Sequence, residues 1–157
     1  MKARAIALTV ATVALCFVAA TLCFAADANI GSWKLNEAKS KFAPGSSKNI
    51  TVVYEEVGDN VKVTIDGIDA AGKPMHSEWT GKIDGKDYPA TGDSNSDTRS
   101  LKKVDDHTLV VAAKKDGKVT LTGRIVVAAD GKSRTVTTSS TDSMGKKVTN
   151  TAVYDKQ

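Results

Sequence analysis

The two histidines of this chain lie near carboxylates, a grouping that metal binding or acid–base catalysis would require. His76 and Glu78 are two residues apart and would share one face of a strand, and His107 follows Asp105 and Asp106. A metal site needs three or four ligands that converge, and no spacing in the sequence brings these two places together. We therefore predict solvated outer-face side chains and no bound metal.

An acidic run at Asp93–Asp97 carries oxygen ligands at positions one, three and five, as a calcium-binding loop does. Such a loop also needs glycine at position six and a bidentate glutamate at position twelve. Thr98 and Val104 occupy these positions here. The run is therefore predicted to be an ordinary polar turn.

The sequence offers no pattern for nucleophilic catalysis. Its two cysteines, Cys16 and Cys23, both lie in the apolar N-terminal stretch, and no Gly-x-Ser-x-Gly elbow occurs. The carboxylates lie mainly in turn signals, where solvent gives them no acid–base role. We predict no catalytic residues, no cofactor and no enzymatic activity.

The first 25 residues have the composition of a secretory signal peptide. Two basic residues precede an almost uninterrupted apolar run, and Cys23 and Ala25 are small residues at the two positions that a signal peptidase inspects. A retained membrane anchor is the alternative, since a spanning helix needs roughly 20 apolar residues. We expect cleavage after Ala25, no stable membrane span afterwards, and a periplasmic or secreted protein with one domain over 26–157.

The charge of the chain argues against nucleic acid as a partner. The formal net charge is +4, but Lys2 and Arg4 belong to the leader, so 20 basic and 18 acidic residues remain and give a net charge of +2. The lysines are scattered among aspartates in the turns, so no basic stripe is left for a phosphate backbone. Without cysteines in the mature chain, stability must come from the core and from strand hydrogen bonds.

Ten strands are predicted from alternating residues and the turns between them. Asp-Gly-Lys occurs three times between β-rich runs, and Asp-Gly is a strong hairpin signal because glycine accepts the positive φ of a tight turn. Asn36 also fits as the cap of one helical turn that Pro44 ends. The predicted strands are Gly31–Leu35, Asn49–Val57, Val61–Ile68, Pro74–Ile83, Tyr88–Thr91, Thr98–Val104, His107–Lys114, Val119–Ala128, Arg134–Thr141 and Lys147–Tyr154.

One face of these strands is apolar and the other is polar. In the strand that begins at Val119, for example, Val119, Leu121 and Ile125 share one face while threonines and Arg124 share the other. No long helix is available to cover the apolar face, so the sheet must close on itself. The fold class predicted is an all-β, up-and-down antiparallel meander that closes into a barrel.

The interior of such a barrel would be underfilled if ten strands close, because more strands widen the lumen. Two outcomes remain open: a hollow barrel with an apolar pocket, or a flattened barrel whose walls touch. The large inward residues are few, and the others are small or medium-sized: Val52, Val61, Val63, Ser77, Gly81, Ala113, Gly123, Val136, Val148, Asn150 and Ala152.

Gly31-Ser32-Trp33, at the start of a β-meander, resembles the opening strand of the calycin superfamily, the lipocalins and fatty-acid-binding proteins. The resemblance implies that Gly31 and Trp33 form the barrel floor, with a basic side chain across the tryptophan ring. Three residues are candidates for this role, Lys156, Arg124 and Arg134. The chain lacks the two-helix lid of fatty-acid-binding proteins and so is more similar to lipocalins, including short secreted bacterial proteins of unassigned function.

These observations predict an exported, monomeric, lipocalin-like barrel that binds a small apolar or amphipathic ligand in its interior. Arg99 or Arg124 would meet an anionic head group if the strand register turns either side chain inward. The predicted pocket is lined by Tyr54, Met75, Trp79 and Tyr154.

Two other hypotheses about the function remain open. The first is an envelope interaction or inhibitor module with a packed interior, which would act through rim loops such as Gly92–Asp97. The second is an oligomer formed by edge pairing of Tyr88–Thr91, where Pro89 weakens the strand ladder.

Overall fold

The structure is a computed structural model that describes residues 27–141 and 145–157. The predicted signal peptide therefore lies outside the described residues. Within them, no helix is both long and apolar enough to cross a membrane. Ten strands are present: β1 Gly31–Leu35, β2 Lys48–Val57, β3 Asn60–Ile68, β4 Pro74–Gly81, β5 Tyr88–Thr91, β6 Thr98–Asp105, β7 Thr108–Lys115, β8 Lys118–Val127, β9 Ser133–Thr141 and β10 Lys147–Lys156.

The strands form a closed antiparallel barrel, which confirms the predicted fold class. Each strand pairs with the next one along the chain, and β10 returns to pair with β1. The closing register sets Trp33 opposite Lys156 and Leu35 opposite Tyr154. Closure removes the two free sheet edges and buries the apolar face.

Tight turns at the predicted glycines connect the strands. Between β7 and β8, Asp116 and Gly117 have φ values of 49° and 75°, the left-handed pair that a two-residue hairpin requires. Between β1 and β2, Asn36 caps a single 3-10 turn over Glu37–Lys39, and its side-chain oxygen accepts a hydrogen bond from the Lys39 amide at 3.2 Å. The predicted helical turn and its cap are thus confirmed, but the turn ends at Lys39, before Pro44.

The placement of Val119 on the inner face is wrong. The register between β7 and β8 shifts at Ala113 and Lys114, so Thr120 is an extra residue and Val119 pairs with Lys114. Such a bulge reverses the faces of the residues on one side of it. Val119 consequently points outward and is 57% exposed, while Leu121 and Ile125 keep the predicted inward direction.

The two ends of the barrel differ. One end, called the floor, holds the segment Asp27–Ile30 and the turns after β2, β6 and β8. The opposite end, called the mouth, holds the connection 36–47, the turn 69–73 and the loop Gly92–Asp97. The largest buried side chains, among them Trp33, Trp79, Leu101, Leu109 and Arg134, fill the half nearer the floor.

Candidate functional site

The floor is built around a buried arginine. The guanidinium carbon of Arg134 lies 4.6 Å from the ring centre of Trp33, 4.8 Å from that of Tyr54 and 5.1 Å from that of Tyr154. The Lys156 ammonium lies 5.1 Å from the Trp33 ring. The cation expected across the tryptophan is therefore present. It comes from Arg134 on β9 and from Lys156 on β10, both of which were among the candidates.

The N-terminal segment seals the floor from below. The Trp33 indole donates a hydrogen bond of 2.8 Å to the carbonyl of Asn29, which is 1% exposed. The Asp27 carboxylate in turn accepts from the Asn29 backbone amide at 2.9 Å and from its side-chain amide at 3.1 Å. These bonds hold Trp33 at the floor, and the barrel-floor role of Gly31 and Trp33 stays a prediction.

Burial dominates the electrostatics of the floor. Removal from water lowers the pKa of Arg134, and the aromatic rings around it supply the compensating attraction. Burial raises the pKa of Tyr154 to about 12, although the Arg134 charge opposes this shift. The Tyr154 hydroxyl donates to the Asn49 carbonyl at 3.0 Å. Tyr54 and Tyr154 thus have structural partners, and their contact with a ligand stays a prediction.

Trp79 lies where the strand pairing of the barrel wall is shortest. Strand β5 pairs with β4 at Trp79 and at Glu78, and with β6 at only two further positions. The Trp79 indole reaches past β5 and donates to the Arg99 carbonyl at 2.8 Å. Its ring meets Tyr88 edge to face, with centroids 6.0 Å apart. Trp79 is 1% exposed and pairs with Val63 on the inner face, and its contact with a ligand stays a prediction.

The half of the interior nearer the mouth is less filled than the floor. The register turns Met75, Val111, Leu121 and Val136 inward, the direction predicted for Met75, yet each is only half-buried. Between them lie small inward residues, including Gly123. These four side chains are more exposed than those of the floor, although Ile65, Ser77 and Ala113 in the same half are at most 5% exposed. We call this half the upper interior.

The register separates the two candidate arginines. Arg99 pairs with Tyr88 and Ala113 on the inner face, and its side chain is 13% exposed. Arg124 pairs with Val110 and Thr137 on the outer face and is exposed. Arg124 is therefore corrected to an outer-face residue, because alternation along β8 assigns it the face opposite to Ile125.

Two further polar residues accompany Arg99 in the upper interior. Asp93, in the loop after β5, places a carboxylate oxygen 3.7 Å from the Arg99 guanidinium. Ser77 pairs with Ile65 on the inner face and is 2% exposed. Neither residue was predicted to belong to the site, although the alternation of β4 already turns Ser77 inward.

Two depressions lie on the wall of the barrel, outside the lumen. A depression of about 440 Å³ on the outer wall is lined by Thr122, Arg124, Thr137 and neighbouring residues of β8 to β10. A second, of about 230 Å³, lies near the mouth between Val119 and Lys147. The first contains Arg124, so this residue faces a surface groove.

The histidine and carboxylate groups do not converge. His76 binds the Asp66 carboxylate at 2.7 Å on the outer face of β3 and β4, while the His107 backbone amide donates to Asp105 in a turn at the floor end. A hydrogen bond and charge from Lys62 lower the pKa of Glu78 beside His76. Across 27–141 and 145–157, no group of three or more His, Cys, Asp or Glu residues is placed to hold a metal ion.

No family model and no curated protein matches the chain. Among solved structures, it is similar to the redesigned β-barrel b11L5F_LGL at 14% identity and a TM-score of 0.47, covering 87% of this chain and 97% of that one. It is also similar to EF1p2_mFAP2b bound to DFHBI (11%, 0.48, 85% and 97%) and to the redesigned β-barrel mFAP1 bound to DFHBI (15%, 0.43, 82% and 95%). At these identities and scores the similarities carry no argument about function.

Proposed function

We propose that this protein is an exported barrel that binds a small apolar or amphipathic molecule in its upper interior. It acts as a monomeric carrier or sequestering protein of the periplasm or the extracellular space, and it catalyses no reaction. Lipocalins are the family it resembles, through Gly31 and Trp33 at the floor.

The observation that carries this proposal is the contrast between the two halves of the barrel. Trp33 and Leu109 are 0% exposed near the floor, whereas Met75 and Leu121 face inward and remain half-buried nearer the mouth. Binding sites in barrels occur at such mouths, where an apolar lining carries a few polar groups. Export rests on the composition of residues 1–25 alone.

Native mass spectrometry of the chain, purified gently from its own host, tests the proposal. We expect a bound mass that disappears on denaturation and that extraction then identifies. Val111→Trp would fill the upper interior and lose this mass. Val110→Trp is the matched control, because Val110 is the neighbouring residue on the outer face, and this variant would keep it.

A clean apo mass, with no uptake of added fatty acids, quinones or retinoids, would contradict binding in the interior. The outer-wall depression of about 440 Å³ supports a second candidate function, a module that contacts a protein partner of the cell envelope. Loss of partner binding in Thr137→Trp, with Val111→Trp unaffected, would favour this second function.

A further inference from the structure

We propose that the ligand of the upper interior carries an anionic head group, which binds Arg99 and Ser77 and displaces the Asp93 carboxylate from Arg99. This inference rests on the proposed function and specifies its ligand class as an amphiphile with a single carboxylate and an apolar tail. In the absence of ligand, the Asp93 carboxylate of the loop Gly92–Asp97 would then take the position of the ligand's head group beside Arg99.

Arg99 is a nearly buried cation whose pairing is incomplete. Its side chain is 13% exposed, and within the described ranges Asp93 is the carboxylate that lies within ion-pairing distance. The separation of 3.7 Å exceeds the 2.7–2.9 Å of a charge-assisted hydrogen bond. The guanidinium has five donors in a planar fork that fits a carboxylate at two points. A ligand carboxylate at hydrogen-bonding distance would therefore satisfy Arg99 better than Asp93 does.

The Asp93 carboxylate is held by its own loop and does not depend on Arg99. One of its oxygens accepts from the Asn95 amide at 2.9 Å, and the other accepts from the Ser96 hydroxyl at 2.7 Å. Ser96 is 3% exposed, so this part of the loop is anchored. Because these bonds remain when Arg99 turns toward a ligand, the exchange leaves no carboxylate without partners.

Ser77 provides a second donor on the inner face, next to the loop that carries Asp93. Its hydroxyl oxygen is buried and has no hydrogen-bond partner among the described residues. Gly92 packs directly against it: a Cβ atom at Gly92 would lie 2.9 Å from the Ser77 Cα. The chain thus places an unsatisfied hydroxyl next to the residue before Asp93. A buried hydroxyl without a partner is costly, and a ligand oxygen would remove that cost.

Apolar residues of the upper interior fit the apolar tail of an amphiphile. Apolar residues that the register turns inward in the upper interior keep part of their surface accessible: Met75, Ala90, Val111, Leu121 and Val136. An apolar tail on these residues would be removed from water at about 25 cal/mol per Å². The head group fixes the orientation of the ligand, and the tail supplies the area.

The test compares two probes that differ in one charge, 11-(dansylamino)undecanoic acid and its methyl ester, by fluorescence titration of the full protein. We expect the wild-type protein to bind the acid at least about tenfold more tightly than the ester. Arg99→Gln would weaken acid binding about 10- to 100-fold and leave ester binding nearly unchanged. Arg124→Gln, the matched control on the outer face, would change neither titration.

Asp93→Asn gives a result of opposite sign and does not depend on the stability of the Arg99 variant. Removal of the competing charge would tighten acid binding several-fold, and unchanged acid binding in this variant would overturn the exchange. Equal binding of both probes by the wild type and by Arg99→Gln would overturn the head-group site while the carrier function stands. If the wild type binds neither probe, the failure lies with the proposed function itself.

Discussion

Arg134 combines full burial with a charge that, in the described part of the chain, has no carboxylate beside it. Its Nε and one terminal nitrogen are buried without hydrogen-bond partners there, and three aromatic rings surround it. The side chain therefore stabilises the floor by filling space and by cation–π attraction, against the cost of desolvation. Its volume and its charge can be separated by mutation.

Arg134→Ala is expected to lower the free energy of unfolding by about 3 kcal/mol or more, because it opens a cavity beneath three rings. Arg134→Met keeps the length and removes the unpaired donors, so its cost should stay within about 1.5 kcal/mol. Urea unfolding of both variants measures the difference. Equal losses in the two variants would show that the charge, and not the volume, stabilises the floor.

Tyr154 gives the barrel a stability change at alkaline pH. Its folded pKa of about 12 lies above the ordinary value of 10.0, so the folded state holds the phenolic proton more tightly than the unfolded chain does. The resulting stability is fully present below pH 10 and is lost as the pH rises toward 12. Urea unfolding at several pH values should show this loss in the wild type and a smaller one in Tyr154→Phe. Identical pH profiles would contradict the assignment.

Alternation along β9 predicts that the Arg134 side chain faces inward, whereas its charge favours an exposed position. Arg134 has the same parity as Val136 on β9, so alternation alone turns it inward. Arginine is nearly always exposed unless it is paired, so the sequence left Arg134 as only one of three candidates for the cation beside Trp33. Only the three rings contributed by other strands make burial acceptable, and no local pattern brings those rings together.

At the scale of elements, the ten strands follow from turn chemistry and alternation, whereas their exact pairing does not. Asp-Gly turns fix where hairpins reverse, and these signals are local. The bulge at Thr120 depends on how β7 and β8 fit together, so alternation within β8 assigned Val119 to the wrong face. The short β5 was predicted, but the Trp79 hydrogen bond across it involves a carbonyl 20 residues further along the chain.

The short strand β5 and the Trp79–Tyr88 ring contact beside it, together called the seam, depend on a glycine that leaves room for two rings. A Cβ at Gly81 would lie 2.5 Å from the Tyr88 ring and 2.6 Å from the Trp79 ring. Gly81→Ala should therefore displace Tyr88, lower the free energy of unfolding by about 1–3 kcal/mol and weaken the near-ultraviolet circular dichroism of the tryptophans.

Gly117→Ala is the matched control for the seam, because nothing lies within 4 Å of its Cβ position and its strain comes from the backbone alone. It should destabilise by about 1 kcal/mol with an unchanged near-ultraviolet spectrum. Hydrogen exchange at Ala90 should quicken in Gly81→Ala and not in the control. An unchanged tryptophan spectrum in Gly81→Ala would show that the seam absorbs a methyl group without moving.

At the scale of the whole molecule, the sequence could not decide between a hollow and a packed barrel. It listed the inward residues almost correctly, but how far the walls stand apart depends on tilt and stagger, which are properties of all ten strands together. The structure combines both states along one axis. Large side chains pack near the floor, around Leu109, while the half nearer the mouth keeps accessible space around Leu121.

The contrast between the packed floor and the upper interior predicts that a larger side chain will lower the free energy of unfolding at the floor but hardly change it in the upper interior. Leu109 is 0% exposed, so Leu109→Phe should overpack the floor and lower the free energy of unfolding by about 1–3 kcal/mol. Leu121 is half-buried in the upper interior, so Leu121→Phe should change that free energy by less than about 1 kcal/mol while it weakens uptake of an apolar probe. Urea unfolding and probe titration of the two variants supply both measurements. If both substitutions destabilise equally, the walls touch throughout and the upper interior has no room for a ligand.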